Sequence, residues 1–345
     1  MASLFSSRVF RRSLLALVVL LCLAVGEFWL YAANNLARHM HEQTFGGAAL
    51  ADFCASSEIG GFPFRLRLNC SQFSAPLRAG QTQILAKADE ARGEASIFAP
   101  NHIVLTLSSP LSLQKPDGSA LAKLRHDGMT LDVAWSSHGL DEAQLDASAL
   151  DWRPEAPEAG IAFNLQKLNV RLKPLGDSLH VDVVGDGLTA PMLQSVLQKS
   201  DLSRFSFSGQ IAPAPRASED WRAAVETWRG KSGAVTIEKL DWRTGDFSFS
   251  LDGSLALDEA HRPAGRLNVA AKGAGPILAR MGVPVSAAQA QNLISALLGK
   301  AQGNPQAKPQ AQPEGGDSLA LPLILDKGRI YLGPLRLPAT LAPLY

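Results

Sequence analysis

The sequence has little of what marks the common functional classes. Its 33 lysines and arginines balance 32 aspartates and glutamates and leave a formal charge of +1. That balance excludes a strongly basic nucleic-acid binder and an acidic tail protein. Charged residues make up only 19% of the chain and aromatic residues only 7%. With 29 glycines and 21 prolines among 345 residues, the chain is neither collagen-like nor disordered throughout, so we expect one large or two modest folded domains.

Catalytic and metal-binding motifs are also missing. The sequence has no HExxH, CxxC, GxSxG or P-loop, and its seven histidines are scattered. Gly273 and Gly275 look like the start of a dinucleotide loop, but Leu278 occupies the third glycine position. His180 and Asp182 share a strand face only because side chains alternate with a period of two. We predict no enzyme, no metal site and no cofactor, although a triad built from distant residues stays open.

One long apolar run is present, and it lies near the N-terminus. Residues 13–33 are almost purely apolar and have the length of about 20 residues that spans a bilayer core. Arg8, Arg11 and Arg12 precede the run, so the positive-inside rule makes residues 1–12 a cytoplasmic tail. We predict a single-pass anchor, a juxtamembrane helix at 34–50 and an exported remainder.

A cleaved signal peptide is the competing interpretation of the same run. Cleavage after Ala32 or Ala33 would place Leu30 or Tyr31 at a position that requires a small residue. Cys22 follows Val-Leu-Leu, which is not a lipoprotein cleavage box. We therefore favour an uncleaved anchor.

The three cysteines fit an exported chain. Cys22 lies in the apolar run, where a thiol behaves as a small apolar group. Cys54 and Cys70 follow it, and a disulfide between them would close a loop of about 17 residues and stabilise the fold by roughly 3 kcal/mol. Two unpaired buried thiols are the alternative. We favour the disulfide because free thiols are a liability in an oxidising compartment.

Alternation with period two dominates the chain from Phe62 onward and predicts β-strands. The clearest case is Phe247, Phe249 and Leu251, which alternate with serines and an aspartate. The predicted fold is mainly β (α+β): an N-terminal transmembrane helix, then a long, curved antiparallel β-meander with one apolar face. The exported β-rich domain is placed at 51–298.

Few helices interrupt the predicted strands. Ser218 is typical of an N-cap, and an apolar stripe with helical spacing follows it up to Gly230. Two further short helices are predicted from Thr189 to about Lys199 and from Ser286 to Gly299. Residues 299–316 contain no large apolar residue and predict a flexible linker. Residues 317–345 predict a C-terminal hairpin that returns to the sheet.

Two short strings recur at nearly the same offset. Leu-x-Val-x-x-x-Gly-x-Gly begins at Leu179 and at Leu267, and Leu-Asp-Trp-Arg begins at Leu150 and at Leu240. They indicate related units of strands and a helix at 145–200 and 235–300. Chance recurrence in a β-rich sequence is the alternative.

The order of several strings resembles a known bacterial family. The strings are GFPFR at 61–65, APNH at 99–102, LDGSLALD at 251–258, PAGRL at 263–267 and DKGRIYLGP at 326–334. Together they resemble the domain-of-unknown-function family numbered 2125. The resemblance implies a membrane-anchored envelope protein without enzyme activity, and it assigns no functional residues. The strand turns are also similar to those of AsmA-like envelope proteins, which are linked to lipid handling.

These observations lead to an expected function. The chain should be a non-enzymatic periplasmic protein, anchored in the inner membrane, that binds or passes lipid or another hydrophobic ligand along an apolar β-groove. Three short helices are too few to cover about twelve or more strands, since a typical sheet has about 5–6 strands. The alternatives are an envelope scaffold that binds other envelope proteins and has a closed β core, and, less favoured, an uncharacterised hydrolase. Strand parity selects six groove-lining candidates: Phe62, Phe64, Val181, Phe247, Phe249 and Val269.

Overall fold

Antiparallel strands make up most of the fold. The computed structural model describes residues 7–42, 44–45, 48–79, 82–156, 159–191, 203–214, 221–273, 318–333 and 335–344. The chain divides into two compact units, Met1–Asp141 and Glu142–Tyr345, which we call unit 1 and unit 2. An apolar N-terminal helix precedes the strands. The predominance of antiparallel strands confirms the predicted mainly β class.

Helix α1 covers Ser7–Glu42 without a break. Its described part from Leu17 to Glu42 is long and apolar enough to cross a membrane by length and composition. The predicted juxtamembrane helix at 34–50 is wrong beyond Glu42, because a small hairpin of β1 (Thr44–Phe45) and β2 (Ala48–Ala49) follows. The sequence supplies the physical reason: the two glycines at 46 and 47 disfavour a helix.

Unit 1 continues with a 3₁₀ turn and a branched sheet. The 3₁₀ turn is Leu50–Phe53. The strands are β3 (Ser56–Gly60), β4 (Arg65–Ala79), β5 (Thr82–Ser96), β6 (Ala99–Leu107), β7 (Leu111–Gln114), β8 (Ala120–Arg125) and β9 (Gly128–Ser136). β3, β4 and β5 pair in sequence, and the long β5 then pairs with β6 along its second half and with β7 along its first half. β9 pairs with β6, and β8 with β7.

A disulfide ties the 3₁₀ turn to β4. It joins Cys54, the residue after the turn, to Cys70, and their Cα atoms lie 5.2 Å apart. Cys70 is almost fully buried. The bond therefore crosslinks the segment that follows α1 to the middle of unit 1.

The described part of unit 2 is an antiparallel meander into which a helix is inserted. Its strands are β10 (Gly139–Pro154, in this unit from Glu142), β11 (Phe163–Leu175), β12 (Ser178–Leu188), β13 (Ser203–Ala212), β14 (Ala234–Thr244), β15 (Phe247–Leu257), β16 (Pro263–Lys272), β17 (Ser318–Asp326), β18 (Arg329–Leu332) and β19 (Leu335–Thr340). Each strand pairs with the next one along the chain. The C-terminal segment has three strands where a hairpin was expected, because Gly333 takes a positive φ of 57° and starts a further turn.

Helix α2 (Trp221–Gly230) lies between β13 and β14 and ends at the expected glycine. The indole of Trp228 lies against Gly233, where an added Cβ would be only 2.3 Å from ring atoms. Glu226 accepts a hydrogen bond from Nε2 of His261 at 3.0 Å, so the helix is also tied to the β15–β16 turn. The predicted 286–299 helix, the 299–316 linker and nearly all of the 189–199 helix lie outside the described residues.

The recurring strings occupy equivalent strands. Leu-Asp-Trp-Arg lies at the end of β10 in its first copy and at the end of β14 in its second. The second string begins in β12 and in β16. β10–β12 and β14–β16 are therefore two three-strand meanders that carry the strings at matching places.

Candidate functional site

One face of the unit 2 sheet is apolar over seven consecutive strands. In an antiparallel pair, directly opposed residues project to the same face, so the register identifies them. Phe205 opposes Trp242, which opposes Phe249, and the neighbouring row runs from Val183 through Phe207 to Leu240. We call the following set the apolar face: Leu168, Val170, Leu172, Val181, Val183, Phe205, Phe207, Leu240, Trp242, Phe247, Phe249, Leu251, Leu267, Val269, Leu321 and Leu323.

An aromatic row lies at the centre of the apolar face. The rings of Phe205 and Trp242 stack at 6.0 Å between centroids, and those of Trp242 and Phe249 at 6.4 Å. The ring of Phe247 lies 6.2 Å from that of Phe249. On β12 the row meets Gly185, where an added Cβ would be 2.2 Å from the Phe205 ring. A glycine there leaves the space that the ring occupies.

The opposite face of the same strands is polar. Ser208 of β13 donates a hydrogen bond to Asp182 of β12 at 2.8 Å, and Asn268 of β16 donates to Asp252 of β15 at 2.8 Å. Lys239 forms an ion pair with Asp241 at 2.8 Å along β14. A sheet with one such face presents its other face to a core or a ligand.

Burial changes along the apolar face. Leu267 and Leu321 are buried, as is Ile237, which opposes Gly253 next to them. Phe205, Phe207, Trp242, Phe247 and Phe249 are only half-buried. Large aromatic side chains inside a closed core lose nearly all of their exposure. Among the described residues, the aromatic part of the face is therefore only partly covered.

The structure separates the six residues that strand parity selected. Val181, Phe247, Phe249 and Val269 all lie on the apolar face of unit 2. Phe62 and Phe64 lie in unit 1, in a turn that precedes β4, so their assignment to a strand is wrong.

The turn that contains Phe62 and Phe64 has a clear local cause. Gly61 takes a φ of +97°, and an added Cβ there would be 2.7 Å from the Arg65 carbonyl oxygen. The Arg65 N–H donates back to the Gly61 carbonyl at 3.0 Å and closes the turn. The strand begins only at Arg65.

Phe205, Phe207 and Trp242 belong to the aromatic part of the apolar face, but the predicted groove did not include them. The alternation of Phe205 and Phe207 was visible, and Trp242 lies in one of the recurring strings. Neither signal tells which strands are neighbours or which residues oppose each other. Only the register places Trp242 between Phe205 and Phe249.

The polar face contains a serine, a histidine and an aspartate in close contact. Ser208 Oγ lies 3.4 Å from Nε2 of His180 but donates to Asp182 at 2.8 Å. Nε2 of His180 also lies 3.3 Å from the Asp182 carboxylate. A nucleophilic triad needs the serine hydroxyl to donate to the histidine and the acid to hold the other ring nitrogen. Here the serine hydroxyl donates to Asp182, and the Glu238 carboxylate lies 3.9 Å from Nδ1 of His180, beyond hydrogen-bond distance. The observed contacts therefore describe a polar cross-strand cluster.

Unit 1 holds one buried histidine. His126 lies in the β8–β9 turn, 7% exposed, and its two ring nitrogens make no hydrogen bond in the described structure. Burial lowers the pKa of His126 below its ordinary value of 6.5, because a charged ring would lose its hydration. The folded state therefore takes up a proton at lower pH than the unfolded state.

We therefore predict that the stability of unit 1 decreases as the pH falls. The stabilisation from a neutral His126 is complete above the unfolded pKa and is lost as pH falls below about 6.5. His126→Phe should reduce this loss, measured as amide hydrogen exchange of β8 and β9 at pH about 7.5 and about 5. His138→Phe, at an exposed turn, is the control and should leave the pH dependence unchanged. Equal pH dependence in wild type and His126→Phe would contradict the prediction.

Together these features define a class: a β-rich protein with an apolar N-terminal helix of membrane-spanning length and, among the residues that the structure describes, a sheet whose apolar face is only partly covered. The chain belongs to the family described as "uncharacterized protein conserved in bacteria (DUF2125)", whose model matches residues 29–340. This confirms the resemblance drawn from the sequence strings. Searches of the curated proteins and of the solved structures found no match.

Proposed function

We propose that the protein is a non-enzymatic bacterial envelope protein, anchored in the inner membrane, that binds lipid or another hydrophobic ligand on the apolar face. The half-buried aromatic row carries the proposal. Side chains that are apolar, contiguous and partly uncovered are typical of a surface that accepts an apolar partner. An acyl chain suits such a face because it needs no hydrogen-bond partner.

An uncleaved anchor supports this function, since it tethers the chain to the membrane that contains the lipid. Trp29 of α1 donates a hydrogen bond to the Arg65 carbonyl at 2.7 Å, and its ring contacts Phe62 at 5.7 Å. The family match begins at the same Trp29. A signal peptide cut after Ala32 or Ala33 would remove a residue that packs on the fold. The arginines before the helix favour a cytoplasmic N-terminus, and the disulfide favours a periplasmic location for the rest.

The test uses the full chain in bilayer nanodiscs that contain a photoactivatable phospholipid. We expect light-dependent labelling of unit 2 peptides from β13 to β16. Phe249→Asp places a charge in the aromatic row and should reduce that labelling several-fold. Ser248→Asp is the matched control: it lies one position away on the polar face, opposite Arg243 and Lys272, and should keep the labelling. Equal labelling in both variants would contradict the proposal.

A variant that introduces no charge distinguishes an open ligand site from a closed core. Phe249→Ala should lower the labelling of an open site with little effect on unfolding. If the row is fully enclosed, the same change should cost about 3–5 kcal/mol of stability. A large loss of stability without lipid labelling in the wild type would favour the scaffold alternative with a closed β core.

A further inference from the structure

Unit 1 exposes three phenylalanines at one end of its sheet. Phe62 is 60% exposed, Phe64 55% and Phe98 77%. The rings of Phe64 and Phe98 stack at 6.0 Å, and the Ile97 N–H donates to the Phe64 carbonyl at 3.1 Å. The turn before β4 and the β5–β6 turn are thus joined into one surface. We call Phe62, Phe64 and Phe98 the phenylalanine patch.

The phenylalanine patch is in direct contact with the apolar helix. Trp29 meets Phe62 edge to face at 5.7 Å and bonds to the Arg65 carbonyl. One turn earlier on α1, a Cβ added to Gly26 would lie 3.9 Å from the Phe62 ring. Both contacts fall within the apolar run at 13–33. The patch therefore lies at the depth of the last turns of that run.

A second region of contact, between the end of α1 and the segment that follows it, indicates how β4 runs relative to the helix. α1 also contacts β4 and the 3₁₀ turn, and Met40 near the helix end is 8% exposed. From Trp29 to Met40 a helix rises about 16 Å. From Arg65 to Cys70, which is bonded to the segment after the 3₁₀ turn, a strand rises about 16 Å as well. β4 therefore runs beside α1, away from the apolar run, and the patch is the end of unit 1 nearest to that run.

We propose that the phenylalanine patch inserts into the bilayer that α1 spans and forms a second membrane contact of unit 1. Phenylalanine is among the apolar side chains that interfacial elements bury, and such side chains reach about 5–10 Å into the boundary of headgroups and acyl chains. The occupant is the lipid itself because the patch is continuous with the lipid-facing helix. This inference rests on the anchor part of the proposed function, and it is independent of ligand binding by unit 2.

Charge next to the patch fits the headgroup layer. Arg65 follows the turn directly, and its side chain is 64% exposed. Arg65 and Arg67 both bond to the carboxylate of Glu94, the second at 3.0 Å. Two cations share one anion, so the group carries a net positive charge at the edge of the patch, which suits lipid phosphates.

The experiment measures probe depth in the full chain. Cys22→Ala leaves no free thiol, since Cys54 and Cys70 are bonded to each other. Phe98→Cys is then labelled with an environment-sensitive fluorophore and reconstituted into vesicles of phosphatidylethanolamine and phosphatidylglycerol. Leu77→Cys is the matched control: it is 37% exposed and lies on β4, about 40 Å along the strand from Arg65.

We expect the probe at 98 to emit at shorter wavelength and to be quenched several-fold more strongly by shallow spin-labelled lipid than the probe at 77. An aqueous iodide quencher should show the reverse order. Equal quenching at the two sites, by lipid or by iodide, would overturn the inference and would point to a protein partner or a second copy as the occupant. Intact mass and alkaline extraction of the same samples report the anchor. A retained, embedded α1 with a water-exposed probe at 98 would reject the patch alone, whereas a chain cut after residue 33 would reject the anchor too.

Discussion

Gly265→Ala is expected to destabilise unit 2 by about 3 kcal/mol or more, because two independent penalties act at this site. Gly265 takes a φ of +153°, which side-chain-bearing residues rarely adopt, and an added Cβ would lie 2.1 Å from the Ser254 carbonyl oxygen. Gly253 on the neighbouring strand is constrained in the same way, with a φ of +139° and a contact of 2.3 Å to the Arg266 carbonyl. Both close approaches are to backbone, which cannot move aside without breaking the β15–β16 ladder.

Amide hydrogen exchange of β14 to β16 in the full chain measures this loss, because the protection of buried strand amides reports unfolding free energy. Gly230→Ala is the control, since nothing lies within 4 Å of its added Cβ and its φ is not positive. It should change stability by no more than about 0.5 kcal/mol. Unchanged protection in Gly265→Ala would mean that the two strands do not approach as closely as described.

Loss of the Cys54–Cys70 disulfide should destabilise unit 1 by about 3 kcal/mol, because the bond closes a short loop and restricts the unfolded chain. The variant is Cys54→Ala with Cys70→Ala, and the readout is amide hydrogen exchange of β3 to β5. Burial of Cys70 adds to the cost, since alanine leaves a small cavity at that site.

Two control experiments test whether the loss of stability in unit 1 is due to the disulfide. Cys22→Ala removes the remaining thiol and should leave the strands of unit 1 unchanged. Reduction of the wild type should reproduce the double variant in unit 1 and spare β11 to β16, which belong to unit 2. A free-thiol count of three in freshly isolated protein would show instead that the bond does not form in the cell.

Local patterns in the sequence were sufficient for several elements. The apolar run indicates α1, and the stripe from Trp221 to Trp228 with its closing glycine indicates α2. Alternation at Phe247, Phe249 and Leu251 indicates a strand with one apolar face. These signals are readable because each depends on the period of a single element, 3.6 for a helix and two for a strand.

The period of two gave a wrong assignment at residues 62–64, where a turn has the same spacing of apolar residues as a strand. Phe62 and Phe64 have the spacing of strand neighbours, but Gly61 and the Arg65 hydrogen bond fold them into a turn. The alternation continues through Leu66 and Leu68, which do lie on β4, so the period of two placed the start of the strand too early. Their position beside Trp29 depends on a contact between segments far apart in the chain.

By itself, the sequence determined the apolar helix, the mainly β class, the one-sided character of the strands and the family. The first three follow from composition or from short-range periodicity, which local backbone geometry imposes. The family followed from a resemblance in the order of several short strings, which the family match over residues 29–340 confirms. Tertiary structure decided which side chains act together. Strand register set Trp242 between Phe205 and Phe249, and packing against α1 brought Phe62 to the apolar run. Pairing between distant strands depends on the packing of the whole sheet, because the same alternating pattern is compatible with many neighbours and loses its meaning if the register slips by one residue.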